Sequence, residues 1–264
     1  MSLNIKDLFN IEGKIAVVTG GSRGIGEMIA SGFLANGAKV YITARKEEAL
    51  IAKADELSNE YNAECVPFCA DLSKEEGITS FTNFLTEREP EGIDFLINNA
   101  GAAWGAPFDE YPIEGWDKVV DLNLKSPFFI TQKLAKLLEK KGNSDDPSRI
   151  VNIASIDGIG VSNMADTYAY SASKSGIIHL TKHLAKTLVE RNIIVNAIAP
   201  GPFDSHMLGK AVNFDYGFIA DMNPRKRIGT PQDIAGLCIY LCSRAGAFTV
   251  GETVTCDGGM VTTR

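Results

Sequence analysis

The sequence predicts a doubly wound α/β domain built on a seven-stranded parallel sheet with helices on both faces, and three observations carry that prediction. Short β-branched runs alternate with longer amphipathic ones. The short runs are almost continuously apolar, as strands buried on both faces must be. The first of them feeds a glycine-rich turn that opens a helix. No repeat, low-complexity tract or Pro/Gly-rich boundary divides the chain, so one domain over residues 1–264 is expected.

Taken in order, the strands are KIAVVT (14–19), KVYIT (39–43), ECVPFC (64–69), IDFLIN (93–98), RIVNIAS (149–155), IIVNAIA (193–199) and TVTC (253–256). Helical patterns fill residues 25–36, 46–60, 113–140 and 168–190 between them. Hydrophobic residues make up 45% and charged residues 22%, which fits a globular chain and excludes a disordered or fibrous one. A net charge of −7 disfavours nucleic acid or an anionic membrane as a general partner. The opening MSLNIKDLFNIEGK carries Lys6, Asp7, Glu12 and Lys14 and no long apolar run. It reads as neither a signal peptide nor a membrane span, which needs about 20 apolar residues, so a cytoplasmic location is expected. Five cysteines, an odd number, speak against a disulfide framework. Cys65 and Cys69 fall on a strand and Cys238 and Cys242 at helical spacing, all read as buried free thiols. No clustered ligands point to a metal.

The turn TGGSRGIG places Gly20, Gly24 and Gly26 between a strand and a helix. Glycine allows positive φ and close backbone approach, and a helix N-terminus offers free N–H groups to a pyrophosphate, so a dinucleotide is expected here. A carboxylate ending the second strand would select NAD through its ribose hydroxyls. This strand instead ends YITARK, with Arg45 there and Arg23 inside the glycine turn. Either arginine alone also reads as a solvated surface residue; the two together point to a 2′-phosphate and NADP(H).

DTYAYSASKSG (166–176) offers two tyrosines before a lysine. At ~100° per residue, Tyr170 and Lys174 share one helix face a turn apart, whereas Tyr168 points elsewhere. If a phenol is to feel that ammonium it is therefore Tyr170, and Tyr168 reads as a pocket-wall or packing aromatic. A phenol of pKa ~10 shuttles poorly near neutrality. Lys174 and the cationic nicotinamide are expected to lower it.

With these residues in place, the chain resembles the short-chain dehydrogenase/reductase family. TGGSRGIG is similar to its T-G-x-x-x-G-x-G element, and NNAG (98–101) to its fourth-strand signature. LNLKS (122–126), NIAS (152–155) and YSASK (170–174) resemble the segments bearing its catalytic asparagine, serine and Y-x-x-x-K. IAPGPF (198–203) and DGG (257–259) follow in order, so the resemblance covers nearly the whole chain. It implies a single Rossmann domain, with the cofactor half over about 1–150 and the catalytic and substrate half over about 151–264. It implies catalysis by Asn123, Ser155, Tyr170 and Lys174. Ser155 would stabilise charge on the substrate oxygen, Asn123 would hold a water linking Lys174 to solvent, and Lys174 would also bind the nicotinamide ribose.

For the cofactor it implies contacts from Gly20, Ser22, Arg23, Gly24, Ile25, Gly26 and Arg45. Asp71 and Leu72 would bracket the adenine, and Asn99, Ala100 and Gly101 would line its ribose. Pro200, Gly201, Phe203 and Ser205 would lie at the nicotinamide end, beside Tyr170 and Lys174.

A serine hydrolase would also use Ser155, but there is no G-x-S-x-G elbow, and His179, His183 and His206 offer only weak candidates for a base. The segment from Ser155 to Tyr170, which carries Asp157 and Met164, is longer than usual in the family. Ser205 stands where many relatives have threonine. Residues 203–228 read as a substrate lid rich in Met207, Leu208, Val212, Phe214, Tyr216, Phe218, Ile219 and Met222, which suits an acyl chain. RKR (225–227), Lys140, Lys141 and Lys186 would steer an anionic carrier if they stand at the entrance; a solvated basic loop is the plainer reading. The stretches around the glycine turn and NNAG resemble the rhamnolipid-associated 3-oxoacyl reductase branch. That implies reduction of a 3-oxoacyl thioester on an acyl carrier protein or CoA, with a sugar, steroid or xenobiotic ketone as the alternative. A non-catalytic NADP(H) sensor would show a broken tetrad, and this one is complete. Pairing through helices 113–140 and 168–190 into a homodimer or homotetramer is also implied.

Overall fold

The computed structural model describes residues 3–161, 166–205, 208–209 and 215–263. Seven parallel strands, β1 (Ile15–Thr19), β2 (Lys39–Ala44), β3 (Cys65–Cys69), β4 (Phe95–Asn98), β5 (Ser148–Ile153), β6 (Ile193–Pro200) and β7 (Thr253–Cys256), form one sheet in the order β3-β2-β1-β4-β5-β6-β7. The order runs one way from β1 and then restarts on its other side at β4, which opens a crevice at the carboxyl ends of those two strands.

Side-chain alternation splits the core into two layers. Ala16, Val18, Val40 and Ile42 face α2 (Gly24–Ala35), α3 (Glu47–Tyr61) and the last long helix (Pro231–Cys242). Val17, Tyr41, Leu96, Ile150 and Val195 face the opposite layer of Phe81, Leu85, Ile130, Leu134, Leu184 and Leu188. That layer comes from α4 (Glu75–Arg88), α6 (Ser126–Lys141) and α7 (Tyr168–Leu188). A short α1 (Ile5–Leu8) precedes the sheet, and α5 (Ile113–Val120) precedes α6. After β6 come α8 (Tyr216–Met222) and α9 (Pro231–Cys242). A capping box between Thr230 and Asp233, with Pro231 inside the first turn, fixes the start of α9.

Two expectations change. The helix foreseen over 113–140 is interrupted by a π turn at Asp121–Lys125, where the Ser126 N–H reaches back to the Asp121 carbonyl. Pro127 has no N–H, so the Asn123 carbonyl four residues earlier loses its α-helical donor and the ladder must widen there. The cysteines are all free, but only Cys65, Cys238 and Cys242 are buried. Cys69 ends one edge strand and is exposed; Cys256 lies on the other edge and is half-buried. Met164, His206, Met207, Val212 and Phe214 lie outside the described residues.

Candidate active site

The crevice is built first from backbone. Gly20 follows β1 at φ +67°, and a Cβ there would meet the Ala100 Cα at 3.0 Å. A Cβ on Gly26 would stand 2.3 Å from the Gly20 carbonyl oxygen, so only glycine lets α2 start this close to the strand. No side chain caps α2, which leaves its first N–H groups available to an anion. Ser22, Gly24 and Ile25 form the rest of this turn; Ser205 closes over it, its Cβ 3.2 Å from where a Gly24 Cβ would be. The β4 end is tied to the same turn: Asn99 and Ala100 N–H groups each donate to Thr19 Oγ1 at 3.0 Å. Asn99 Nδ2 also donates to the Thr19 carbonyl at 2.9 Å. Thr19, which the sequence reading passed over, is the pin that joins the two strand ends; its hydroxyl in TGG was the available signal.

Arg23 and Arg45 are both exposed, and neither makes an ion pair among the described residues. Arg45 lies near Asp71, which accepts from the Ser73 hydroxyl at 2.7 Å and the Ser73 N–H at 3.1 Å. Burial opposes ionisation of Asp71, but Ser73, Arg45 and Lys74 together hold its carboxyl below its ordinary value. Leu72 beside it is buried and belongs to the core.

Ser155 leaves β5 and caps a short 3-10 turn, Ile156–Gly158, accepting from the Asp157 N–H at 3.1 Å. Tyr170, in the first turn of α7, lies against the Ser155 hydroxyl, and Lys174 Nζ lies 5.6 Å from the centre of its ring. The helical argument thus holds in space. Tyr168 points away: its ring meets Phe108 and Tyr111 edge-on at 5.8 and 5.6 Å, and its hydroxyl donates to Asp166 at 3.3 Å.

The expected lowering of the Tyr170 pKa does not arise from the chain itself. Burial pushes the phenol up to about 12, the Ser155 hydrogen bond pulls the other way, and the Asp157 charge adds to the rise. Lys174 spends its ammonium on the Ile153 carbonyl at 2.7 Å, and burial draws its pKa down to about 8. Asn123 is buried and its side chain fully engaged. Its amide accepts from Ala102 N–H at 2.8 Å and donates to the Ala102 carbonyl at 2.9 Å and to Ser173 Oγ at 3.1 Å. Ser173 in turn donates to the Tyr170 carbonyl at 2.8 Å. Both amide protons are therefore committed, and the side chain clamps the loop after Gly101 to α7.

At the far end of the crevice, Pro200 and Gly201 close β6 against the DGG turn; a Cβ on Gly201 would lie 2.8 Å from Asp257. Phe203 is 2% exposed, its ring packed over Gly229, so its side chain belongs to the core rather than to the crevice. The lid's base is anchored by Asn223 donating to the Asp257 carbonyl at 2.9 Å, and Tyr216 donates to Asp204 at 2.7 Å. Within the lid, Ile219 is buried and Phe218 is 61% exposed. Arg227 is engaged within the chain, donating two hydrogen bonds to Asp233 at 2.6 and 3.0 Å. Lys140, Lys141 and Lys186 lie near the ends of α6 and α7, where the next parallel strand begins. That is the edge of the sheet opposite the crevice. His179 and His183 are exposed and line an apolar groove with Val120, Leu124, Phe128 and Leu180, apart from Ser155.

With this geometry in hand, comparison with known proteins is decisive. Residues 20–261 match a family model described as "Enoyl-(Acyl carrier protein) reductase". The chain belongs to the short-chain dehydrogenase/reductase family. It is 42% identical over 253 residues to the rhamnolipids biosynthesis 3-oxoacyl-acyl-carrier-protein reductase of Pseudomonas aeruginosa, covering 95% of this chain and 97% of that one. It is 34% identical to the 3-oxoacyl-acyl-carrier-protein reductase FabG of Aquifex aeolicus, covering 95% and 98%. Among solved structures, the Pseudomonas aeruginosa RhlG/NADP active-site complex superposes with a TM-score of 0.91 at 41% identity, covering 97% and 99%. L-Sorbose reductase from Gluconobacter frateurii, complexed with NADPH and L-sorbose, gives 0.88 at 28%, covering 98% and 100%.

Proposed function

We propose that the chain is an NADP(H)-dependent reductase of ketones whose substrates are 3-oxoacyl thioesters carried on an acyl carrier protein or CoA. The observation that carries this reading is the meeting of the Ser155 hydroxyl, the Tyr170 phenol and the Lys174 ammonium at the mouth of a glycine-built crevice. The printed activities of the two 3-oxoacyl relatives support the choice of substrate.

The crevice fits a dinucleotide phosphate. The uncapped start of α2 suits a pyrophosphate, and the two unpaired arginines, with no carboxylate ending β2, suit a 2′-phosphate. Gly20, Ser22, Arg23, Gly24, Ile25, Gly26, Arg45, Asp71, the Leu72 backbone and the Asn99–Gly101 turn would hold the adenosine end. Pro200, Gly201, Ser205 and the Phe203 backbone would hold the other end. When bound, the nicotinamide supplies the hydride.

The chain's own residues handle the oxygen and the proton. Ser155 hydrogen-bonds the carbonyl oxygen and stabilises the charge developing there. Tyr170 gives its proton to that oxygen. Lys174 stands one turn away and, being close to neutral titration, passes a proton on to the phenolate. Asn123 acts as a positioning residue through its amide. The water that resupplies Lys174 would then be held by the carbonyl that Pro127 leaves without a helical donor. The single domain divides near residue 150 into cofactor and substrate halves, with 203–228 as the lid. A cytoplasmic homotetramer or homodimer, paired across α5–α7, completes the reading.

The test is NADPH oxidation with a panel of ketones, including acetoacetyl and longer 3-oxoacyl thioesters. Turnover rising with chain length is expected. Reduction of a sugar, such as sorbose, with no thioester turnover would retain the tetrad and discard the substrate. NADPH binding without any turnover would favour a sensor.

A further inference from the structure

We infer that a ledge of aromatic side chains beside the crevice, built on Phe108, Tyr111, Trp116 and Tyr168, carries the acyl chain of the substrate and sets the preferred chain length. The inference rests on the 3-oxoacyl reading proposed above and gives the acyl chain its place.

The four rings meet edge-on in a continuous row. Phe108 and Tyr168 stand 5.8 Å apart, Tyr168 and Tyr111 5.6 Å, and Tyr111 and Trp116 6.5 Å. Edge-on pairs at these spacings attract, which fixes the rings against one another. The row nevertheless stays open to solvent: Phe108 is 76% exposed and Trp116 43%. Ile113, three residues before Trp116 and so on the same face of α5, is 80% exposed. Phe218 and Phe248 are exposed too, but neither makes a ring contact among the described residues. Single exposed rings are ordinary; a connected patch marks a binding surface.

The ledge is held in place and joined to the catalytic helix. A 3-10 turn, Phe108–Glu110, presents Phe108, and the Tyr111 hydroxyl donates to the Trp104 carbonyl at 3.1 Å. The Trp104 ring rests on Gly115 of α5, where a Cβ would stand 2.8 Å from it. The Ala106 N–H donates to the Asp166 carbonyl at 3.3 Å, just before Tyr168 opens α7. Tyr168 supports the row through its ring alone. It is two residues from Tyr170, so their Cα atoms lie within about 7 Å. An extended alkyl chain advances about 1.2 Å per bond. A medium-length acyl chain whose 3-oxo group sits at Ser155 and Tyr170 therefore reaches the row, whereas an acetoacetyl group ends short of it.

Charge selects the occupant. The segments that carry the rings also carry Asp109, Glu110, Glu114, Asp117 and Asp166, all exposed. The one cation of α5, Lys118, lies over Trp104, its ammonium 4.9 Å from the ring centre. Such an acidic rim repels the phosphates of CoA and the carboxylates of an acidic carrier, and it accepts a neutral alkyl chain. A second copy of this protein seated on the ledge by twofold symmetry would set the same carboxylates against one another. The uncharged tail of the substrate is the partner that meets no such repulsion.

The experiment measures kcat/KM for CoA thioesters from acetoacetyl to 3-oxododecanoyl in the parent, Phe108→Ser, Phe108→Leu and Phe248→Ser. In the parent, each methylene laid on the ledge should raise kcat/KM about twofold, since one side of the chain is covered and full burial supplies about fourfold. Phe108→Ser should flatten that rise and cost about tenfold at 3-oxododecanoyl, mainly through KM. Phe108→Leu keeps an apolar surface and should retain most of the rise, and Phe248→Ser should follow the parent. A binding arm needs no turnover, because Trp104 and Trp116 are the protein's two tryptophans. Their emission in the NADP⁺ complex should shift with dodecanoyl-CoA and not with CoA, and the shift should weaken in Phe108→Ser. An unchanged slope in Phe108→Ser, or emission blind to dodecanoyl-CoA, overturns the inference. A smaller oligomer for Phe108→Ser in light scattering also overturns it, by making the ledge a contact between copies. If the parent reduces no thioester, the substrate reading fails, and the emission arm alone decides whether the ledge holds an alkyl chain.

Discussion

Two lysines at opposite edges of one sheet show how the fold divides its labour. Lys14, just before β1, lies 3.1 Å from Asp94 and 2.8 Å from Asp146. Burial lowers its pKa, but those carboxylates outweigh it and the net shift is upward. Lys174, at the carboxyl edge, is 5% exposed and pairs with no carboxylate among the described residues. Burial alone acts on it, and its pKa falls to about 8. The same side chain is locked into its charge at one edge and left able to give up a proton at the other. Perturbed, unneutralised groups collect where chemistry is done.

The largest break in that contrast should come from the phenol beside Lys174. Tyr170→Phe is expected to lower turnover ~1000-fold while leaving cofactor affinity within a few-fold, since general acid catalysis supplies about that factor. Tyr168→Phe should stay within about twofold of the parent. Steady-state rates paired with cofactor fluorescence titration check both; equal losses in the two variants would refute the helical choice between them. Next in size, Arg45→Ala should weaken NADPH about thirtyfold and leave NADH nearly unchanged, because a charge-assisted contact is worth about 2 kcal/mol. Comparable loss for both cofactors would remove the 2′-phosphate from the argument.

These outcomes also mark what the sequence could encode. The glycine turn and the Tyr170–Lys174 pairing were legible because chain spacing alone sets them, through one tight turn and one helical turn. The five inner strands were legible because burial on both faces leaves a largely apolar run, while the edge strands β3 and β7 are only partly buried. Partnerships across the fold were not. Asn123 meets Ala102 across 21 residues and Ser173 across 50, and no local pattern announces either. The environment of Tyr170 was illegible for a related reason: spacing places a cation nearby, but the burial that raises the phenol is a property of the assembled layers. Arg227 read as a free cation because its partner Asp233 belongs to a helix cap on the next element. Pro127 was legible and went unused; its missing N–H already implied a break near Asn123.

The smallest effect sharpens the opening comparison most directly. Lys14→Met leaves the Asp94 carboxylate, in a residue 6% exposed, with only the Ile15 N–H among the described residues and should lower the unfolding free energy by about 1 kcal/mol, roughly 2 °C in Tm. Lys174→Met removes a buried charge without a carboxylate partner and should raise stability by a similar amount while abolishing turnover. Their pH dependences have opposite signs. The folded pKa of Lys14 is raised, so its contribution is complete below the unfolded value of ~10.4 and is lost as pH climbs through the folded one. The deficit of Lys14→Met should therefore close in strong alkali. The folded pKa of Lys174 is lowered, so between about 8 and ~10.4 the unfolded chain binds the extra proton and the parent gains stability as pH rises. The advantage of Lys174→Met should shrink over that interval. Denaturant unfolding of the parent and both variants across pH 7 to ~10.5 should show a constant deficit for Lys14→Met and a shrinking advantage for Lys174→Met, and parallel curves for all three would mean that the two lysines are held alike.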